Sequence, residues 1–104
     1  MLVNKSKYNS GDIISIKISN GDEIVAKFVE ETDTGFMIKK PMVVVTTQKG
    51  IVLMPALITS DSELSMPINF QHIMLHGLAI KEMSDHYIKK TTGIQLAIAG
   101  SLSV

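Results

Sequence analysis

Apolar and polar residues alternate with a period of two along the first half of the chain. Ile13 to Ile18 place Ile14, Ile16 and Ile18 on one face and Ser15 and Lys17 on the other, the pattern of a half-buried strand. Asn20-Gly21 follows, and both residues tolerate the positive φ of a tight hairpin turn. The return strand, Glu23 to Glu31, sets Ile24, Ala26 and Phe28 against Val25, Lys27 and Val29. Thr32-Asp33-Thr34-Gly35 is a second turn signal. A third strand over 36–47 carries Pro41 in its interior, which predicts an edge position or a bend. After a turn at Gln48-Lys49-Gly50, residues 51–58 (IVLMPALI) form a fourth strand, apolar on both faces. Such a strand is expected to be covered on both sides, by its own barrel or by another subunit. Beyond a polar loop at 60–63, a fifth strand over 66–77 sets Ile68, Phe70, His72, Met74 and His76 on one side. From Leu78 the period lengthens, with Ile80, Met83 and Tyr87 at helical spacing, so a helix is predicted over about 79–91. The apolar, Gly/Ser-containing tail at 94–104 is expected to be poorly ordered or docked late.

These elements predict one mainly β domain over residues 1–104. Its architecture is a five-stranded, strongly bent antiparallel sheet, or small open barrel, with a C-terminal helix. Such a barrel has edges, and a doubly apolar strand near an edge predicts self-association.

Composition narrows the chemistry. The 104 residues are 45% hydrophobic, as in a globular chain and unlike a disordered one. No apolar run reaches the roughly 18 residues of a membrane span, and MLVNKSKYNS lacks the apolar core of a secretory signal, so a cytoplasmic protein without membrane contact is expected. The absence of cysteine excludes disulfides, thiolate metal sites and a cysteine nucleophile. Ten basic residues balance ten acidic ones, and all the basic ones are lysine. Without arginine there is no planar fork to read guanine or clamp phosphate. Nucleic-acid contact would rest on lysine charges, backbone amides, stacking, and amides such as Asn69 or Gln71.

Catalysis has no residue set to carry it. Gly-rich phosphate loop, Ser–His–acid set and nucleophile elbow are all missing. Asp22-Glu23 and Glu30-Glu31 are sequence neighbours, which a strand directs to opposite faces. His72 and His76 on a strand would stand about 13 Å apart, too far to share a metal ion. Neither a metal nor another cofactor is expected. Lys39-Lys40 and Lys89-Lys90 either line a phosphate path or form a solvated face.

From Gly11 to Ile38 the chain resembles the first motif of Sm and Sm-like proteins. Gly11, the isoleucines 14, 16 and 18, Asn20-Gly21, Ile24, Ala26, Phe28 and Asp33 follow its order. Asp33 lies one position later than the motif's Asp, and Gly35-Phe36 replaces the Asn expected after it. Ile73-Met74-Leu75-His76-Gly77 resembles the second motif, with His76 where Arg or Lys is usual. The KKPMVVV and LMP stretches and the terminal helix give the whole the look of small Sm-like proteins encoded by marine phages. If residues 51–58 are the fourth strand, His76-Gly77 instead closes the fifth.

The resemblance implies a homo-oligomeric ring of about five to seven subunits, pairing the fourth strand of one subunit with the fifth of the next. It also implies a non-enzymatic role in RNA, or DNA, processing or metabolism, in the host cytoplasm if the gene is a phage's. Single-stranded RNA would lie around the pore, against Asp33, Thr34, Gly35, Phe36, His76 and Gly77, with Phe36 as a stacking face. The bland counterpart is a tight turn followed by a core phenylalanine. The other class of function is a structural or protein-interaction β ring that binds no nucleic acid.

Overall fold

The computed structural model describes residues 7–103, with side chains from 7 to 92. Its strands are β1 (Ile13–Ile18), β2 (Glu23–Glu31), β3 (Gly35–Thr47), β4 (Gly50–Pro55), β5 (Met66–Asn69) and β6 (Ile73–Leu78). A 3-10 turn, Phe70–His72, joins β5 to β6, and the helix α1 (Lys81–Ser103) follows. The fold is thus mainly β and antiparallel with one C-terminal helix. Sheet order is β4-β3-β2-β1-β6, with β5 also on β3.

The alternating residues of β1 and β2 build two cores on opposite faces of the sheet. The inner face carries Tyr8, Ile14, Ile16, Ile24, Ala26, Phe28, Phe36 and Ile38. The outer face buries Ile13, Val25, Met42 and Leu53 beneath Tyr87 and Met83 of α1. Residues 66–78 wrap the sheet onto itself, because β5 pairs with Gly35–Ile38 of β3 while β6 pairs with β1. The predicted fifth strand is therefore two strands. The 3-10 turn resets the alternation, so Met66, Ile68 and Ile73 all reach the inner core. Its cause is local: Asn69 caps the turn by accepting from the Gln71 amide at 2.8 Å, a bond that competes with continued strand pairing.

Pro41 marks a bend and not an edge, since β3 has neighbours on both sides. Lys40 and Pro41 together face the single residue Ala26, because Val25 pairs with Met42 and Lys27 with Lys39. This bulge gives Lys40 a φ of +50°. It is also where the other side of β3 changes partner, from β5 to β4. The predicted fourth strand likewise ends at Pro55, and the remaining Ala56-Leu57-Ile58 enters the exposed loop to β5. In β4 itself Leu53 is buried, whereas Ile51 two residues before it and Met54 on the opposite face stay exposed, so one chain covers the apolar residues of this strand only in part.

Helix α1 begins two residues after the predicted start and, in its backbone, runs past the predicted end near Thr91. Residues 94–103, expected as a poorly ordered or late-docking tail, continue this helix in their backbone, and their side chains lie outside the described residues. Met83 and Tyr87 pack on the sheet, whereas Ile80 lies exposed ahead of the helix. Tyr87 is 1% exposed. Its hydroxyl donates to the Lys40 carbonyl at 2.8 Å and reaches the Lys39 carbonyl at 3.1 Å, partnering backbone oxygens at the bulge. Burial raises this phenol well above its ordinary value of 10.0.

Tyr87→Phe is therefore expected to cost about 1–3 kcal/mol in urea unfolding at neutral pH, the range for stranding buried carbonyls. A phenol held neutral by the fold contributes stability that is complete below pH about 10 and lost as pH rises further. The gap between wild type and Tyr87→Phe should accordingly narrow above pH 10. A gap that stays constant to pH 11 would contradict this account.

Candidate functional site

The 3-10 turn brings the two predicted hairpin turns together. The Phe70 amide donates to the Thr34 carbonyl at 2.8 Å, and the Ser19 amide donates to the His72 carbonyl at 2.9 Å. Ser19 Oγ also stands 3.4 Å from His72 Nδ1. Asn69, Phe70, Gln71 and His72 consequently form an exposed polar and aromatic row between the β1–β2 turn and the β2–β3 turn. Sequence reasoning assigned these residues to a continuous strand. The signal that marks them is Asn69, a capping residue followed by side chains that break the apolar alternation.

The residues predicted from the sequence divide by burial. Asp33 and Thr34 are exposed on the β2–β3 turn. Gly35 is buried where β3 presses on β5, and a Cβ there would lie 1.9 Å from the Ile68 carbonyl oxygen. Phe36, at 2% exposure, belongs to the inner core. This corrects the expectation of a stacking face, because its ring meets Phe28, Phe70 and His76 edge-on at 5.5, 5.2 and 5.1 Å. Edge-to-face packing of this kind is the favoured aromatic geometry, and it leaves no ring face free for a base. Phe70, 38% exposed, and His76, also exposed, are the rings of this cluster that reach solvent.

His76 and Gly77 lie inside β6, opposite Ile16 and Ser15. They do not form a loop between the fourth and fifth strands, and in this register the match of His76-Gly77 to the second motif is coincidental. His76 nevertheless joins the Phe36 cluster. Its Nδ1 stands 2.5 Å from the Tyr8 hydroxyl, and burial raises the Tyr8 phenol. Tyr8 thereby ties the segment before β1 to β6. Gly77 lines a shallow groove with Ser15, Lys17, Leu75 and His76, whereas Asp33 lines a different cavity.

A cavity of about 690 Å³ opens beside the turn, lined among others by Tyr8, Glu30, Glu31, Asp33 and Phe70. The rings of Tyr8, Phe28 and Phe70 in its lining suit a flat ring, whereas Glu30, Glu31 and Asp33 in the same lining repel phosphate. No group of three or more His, Asp or Glu that could hold a metal ion occurs among the described residues. His72 and His76 each face a hydroxyl, of Ser19 and Tyr8 respectively.

Fold and surface together define a small antiparallel β protein with a helix on its outer face and a polar, aromatic turn joining its ends. No described helix is long and apolar enough to cross a membrane. No family model matches the chain, and no curated protein matches it.

Proposed function

We propose that this chain is an Sm-like, ring-forming protein that binds single-stranded RNA and acts in RNA metabolism without catalysing a reaction. The observation that carries the reading is the exposed row Asn69-Phe70-Gln71-His72, held beside Asp33 and Thr34 by the Phe70–Thr34 bond. Amides and a histidine can hydrogen-bond base edges, and Phe70 offers a stacking surface. Single-stranded RNA presents both features, because its bases are already splayed out. His76 acts in this reading by positioning the Tyr8–Phe36 cluster on which Phe70 rests.

Ring formation is supported by the two ends of the sheet. Strands β4 and β6 are the terminal strands of the sheet order, and they expose Ile51, Met54, Met74, Leu75 and Leu78. Unpaired apolar edges of this kind are templates for another chain. Pairing β4 of one subunit with β6 of the next is a head-to-tail contact, which closes into a ring when the rotation permits. A ring strings several weak sites along one strand, so avidity supplies the affinity.

A second reading, a β ring that binds protein and not nucleic acid, is favoured by Glu30, Glu31 and Asp33 in the cavity lining. Fluorescence titration with oligo-U and oligo-A across a salt series separates the two. Phe70→Ala is expected to weaken RNA binding roughly 5- to 150-fold, the worth of about 1–3 kcal/mol of stacking. Lys49→Ala, on the exposed β3–β4 turn, should have a smaller effect. No affinity of the wild type for either oligonucleotide would end the RNA reading, and equal losses in the two variants would remove stacking from it.

A further inference from the structure

Lys27 and Lys39 stand directly opposite each other on β2 and β3. They occupy the outer face, since their strand neighbours Ala26, Phe28 and Ile38 point into the inner core. Directly paired positions hold their Cβ atoms about 4.5–5.5 Å apart, where like charges destabilise a sheet. Neither lysine has an ion-pair partner among the described residues, where the recorded pairs are Lys40–Glu63 and Lys81–Asp85. The carboxylates on that face of β2 are Glu30, opposite Met37, about 10 Å along the strand from Lys27, and Glu23, opposite Lys17, about 13 Å the other way. The helix adds to the same patch. Tyr87 is anchored on the Lys39 and Lys40 carbonyls, and Lys90, partly buried, follows it on the same side of α1 at i+3. Two strands and a helix thus place three lysine positions around the bulge.

We propose that Lys27, Lys39 and Lys90 form a track for the phosphodiester backbone of single-stranded RNA on the outer face of the sheet. The proposal rests on the RNA reading above and extends it from the bases to the backbone. Charge and position favour this occupant. Lysine ammonium groups act as point charges that take phosphate without reading sequence. Lys39 lies four residues along β3 from Gly35, about 13 Å from the polar turn, so a strand seated at Phe70 continues onto the patch.

The test uses the full chain, fluorescein-labelled U6 and U30, and the double variant Lys27→Gln/Lys39→Gln. U6 is short enough to occupy the polar turn alone, whereas U30 must also run along the outer face. The double variant should bind U6 as the wild type does. For U30, the slope of log K against log salt should flatten by roughly 1.4, about 0.7 for each lost phosphate contact. Relief of the paired charges should also raise the thermal midpoint of the unliganded variant by roughly 1–8 °C. An unchanged U30 slope with U6 binding intact would overturn the track and leave the RNA reading standing. Failure of the wild type to bind either oligonucleotide would remove both. Poly-glutamate competing with U30 as an equal would reassign the patch to an acidic protein partner. A lowered midpoint in the double variant would make the lysines packing elements and overturn the proposal.

Discussion

Gly35→Ala is expected to lower the thermal midpoint by roughly 12–24 °C, corresponding to about 3 kcal/mol in a chain of this size. An added Cβ would meet the Ile68 carbonyl oxygen at 1.9 Å, the Ile68 carbonyl carbon at 2.8 Å and Asn69 Cα at 2.9 Å. All three are backbone atoms, so no side-chain rotation can make room. Strand β5 must move off β3, which breaks the ladder from Gly35–Asn69 to Ile38–Met66. The Phe70–Thr34 bond goes with it, and Phe36 loses cover from the turn. Gly21→Ala is the control. It sits at φ +96° with open space around the missing Cβ, so it should cost only the backbone strain of about 1–2 kcal/mol. Differential scanning calorimetry decides the comparison: equal shifts for the two variants would mean that β5 does not close against β3 as described.

The same glycine shows what could be read from the chain beforehand. Thr32-Asp33-Thr34-Gly35 is legible as a turn because its residue types have local preferences, and β1 and β2 are legible because their alternation is local too. Nothing local reveals that Gly35 is required by Ile68, a contact that exists only after residues 66–78 have crossed to the other side of the sheet. The split of the predicted fifth strand has the same origin. Its apolar residues suit a strand throughout, and only the Asn69 cap and the change of pairing partner from β3 to β1 divide it.

Candidate site residues were legible in proportion to how little they depend on burial. Asp33 and Thr34, polar turn residues, are exposed where the sequence places them. Phe36 was read as a choice between stacking face and core, and periodicity cannot decide that choice, since a strand residue points inward or outward according to the global curl. The row at 69–72 was hidden because a three-residue 3-10 turn has no period of its own to detect. Lys27 looks like an ordinary solvated lysine in sequence, and Lys39-Lys40 is legible there only as a choice between a phosphate path and a solvated face. Only the register of β2 against β3 makes Lys27 and Lys39 a pair.

Met54→Asp and Leu75→Asp are each expected to convert the proposed ring to single chains, with a loss of RNA affinity of roughly 10²- to 10⁴-fold as avidity disappears. Met54 is 51% exposed on β4 and Leu75 is 69% exposed on β6. A carboxylate there faces water in the single chain, where surface substitutions typically stay within about 0.5 kcal/mol. In a β4–β6 contact the same carboxylate is desolvated without a partner. Light scattering after size exclusion should place either single variant at or near 11.4 kDa. The mixture of the two is more telling. Leu75→Asp keeps an intact β4 and Met54→Asp an intact β6, so a head-to-tail contact permits one productive pairing and yields a heterodimer that cannot close. A self-complementary contact between two β4 strands would instead leave Leu75→Asp assembled by itself. Wild-type protein running as a single chain at micromolar concentration would dispose of the ring altogether.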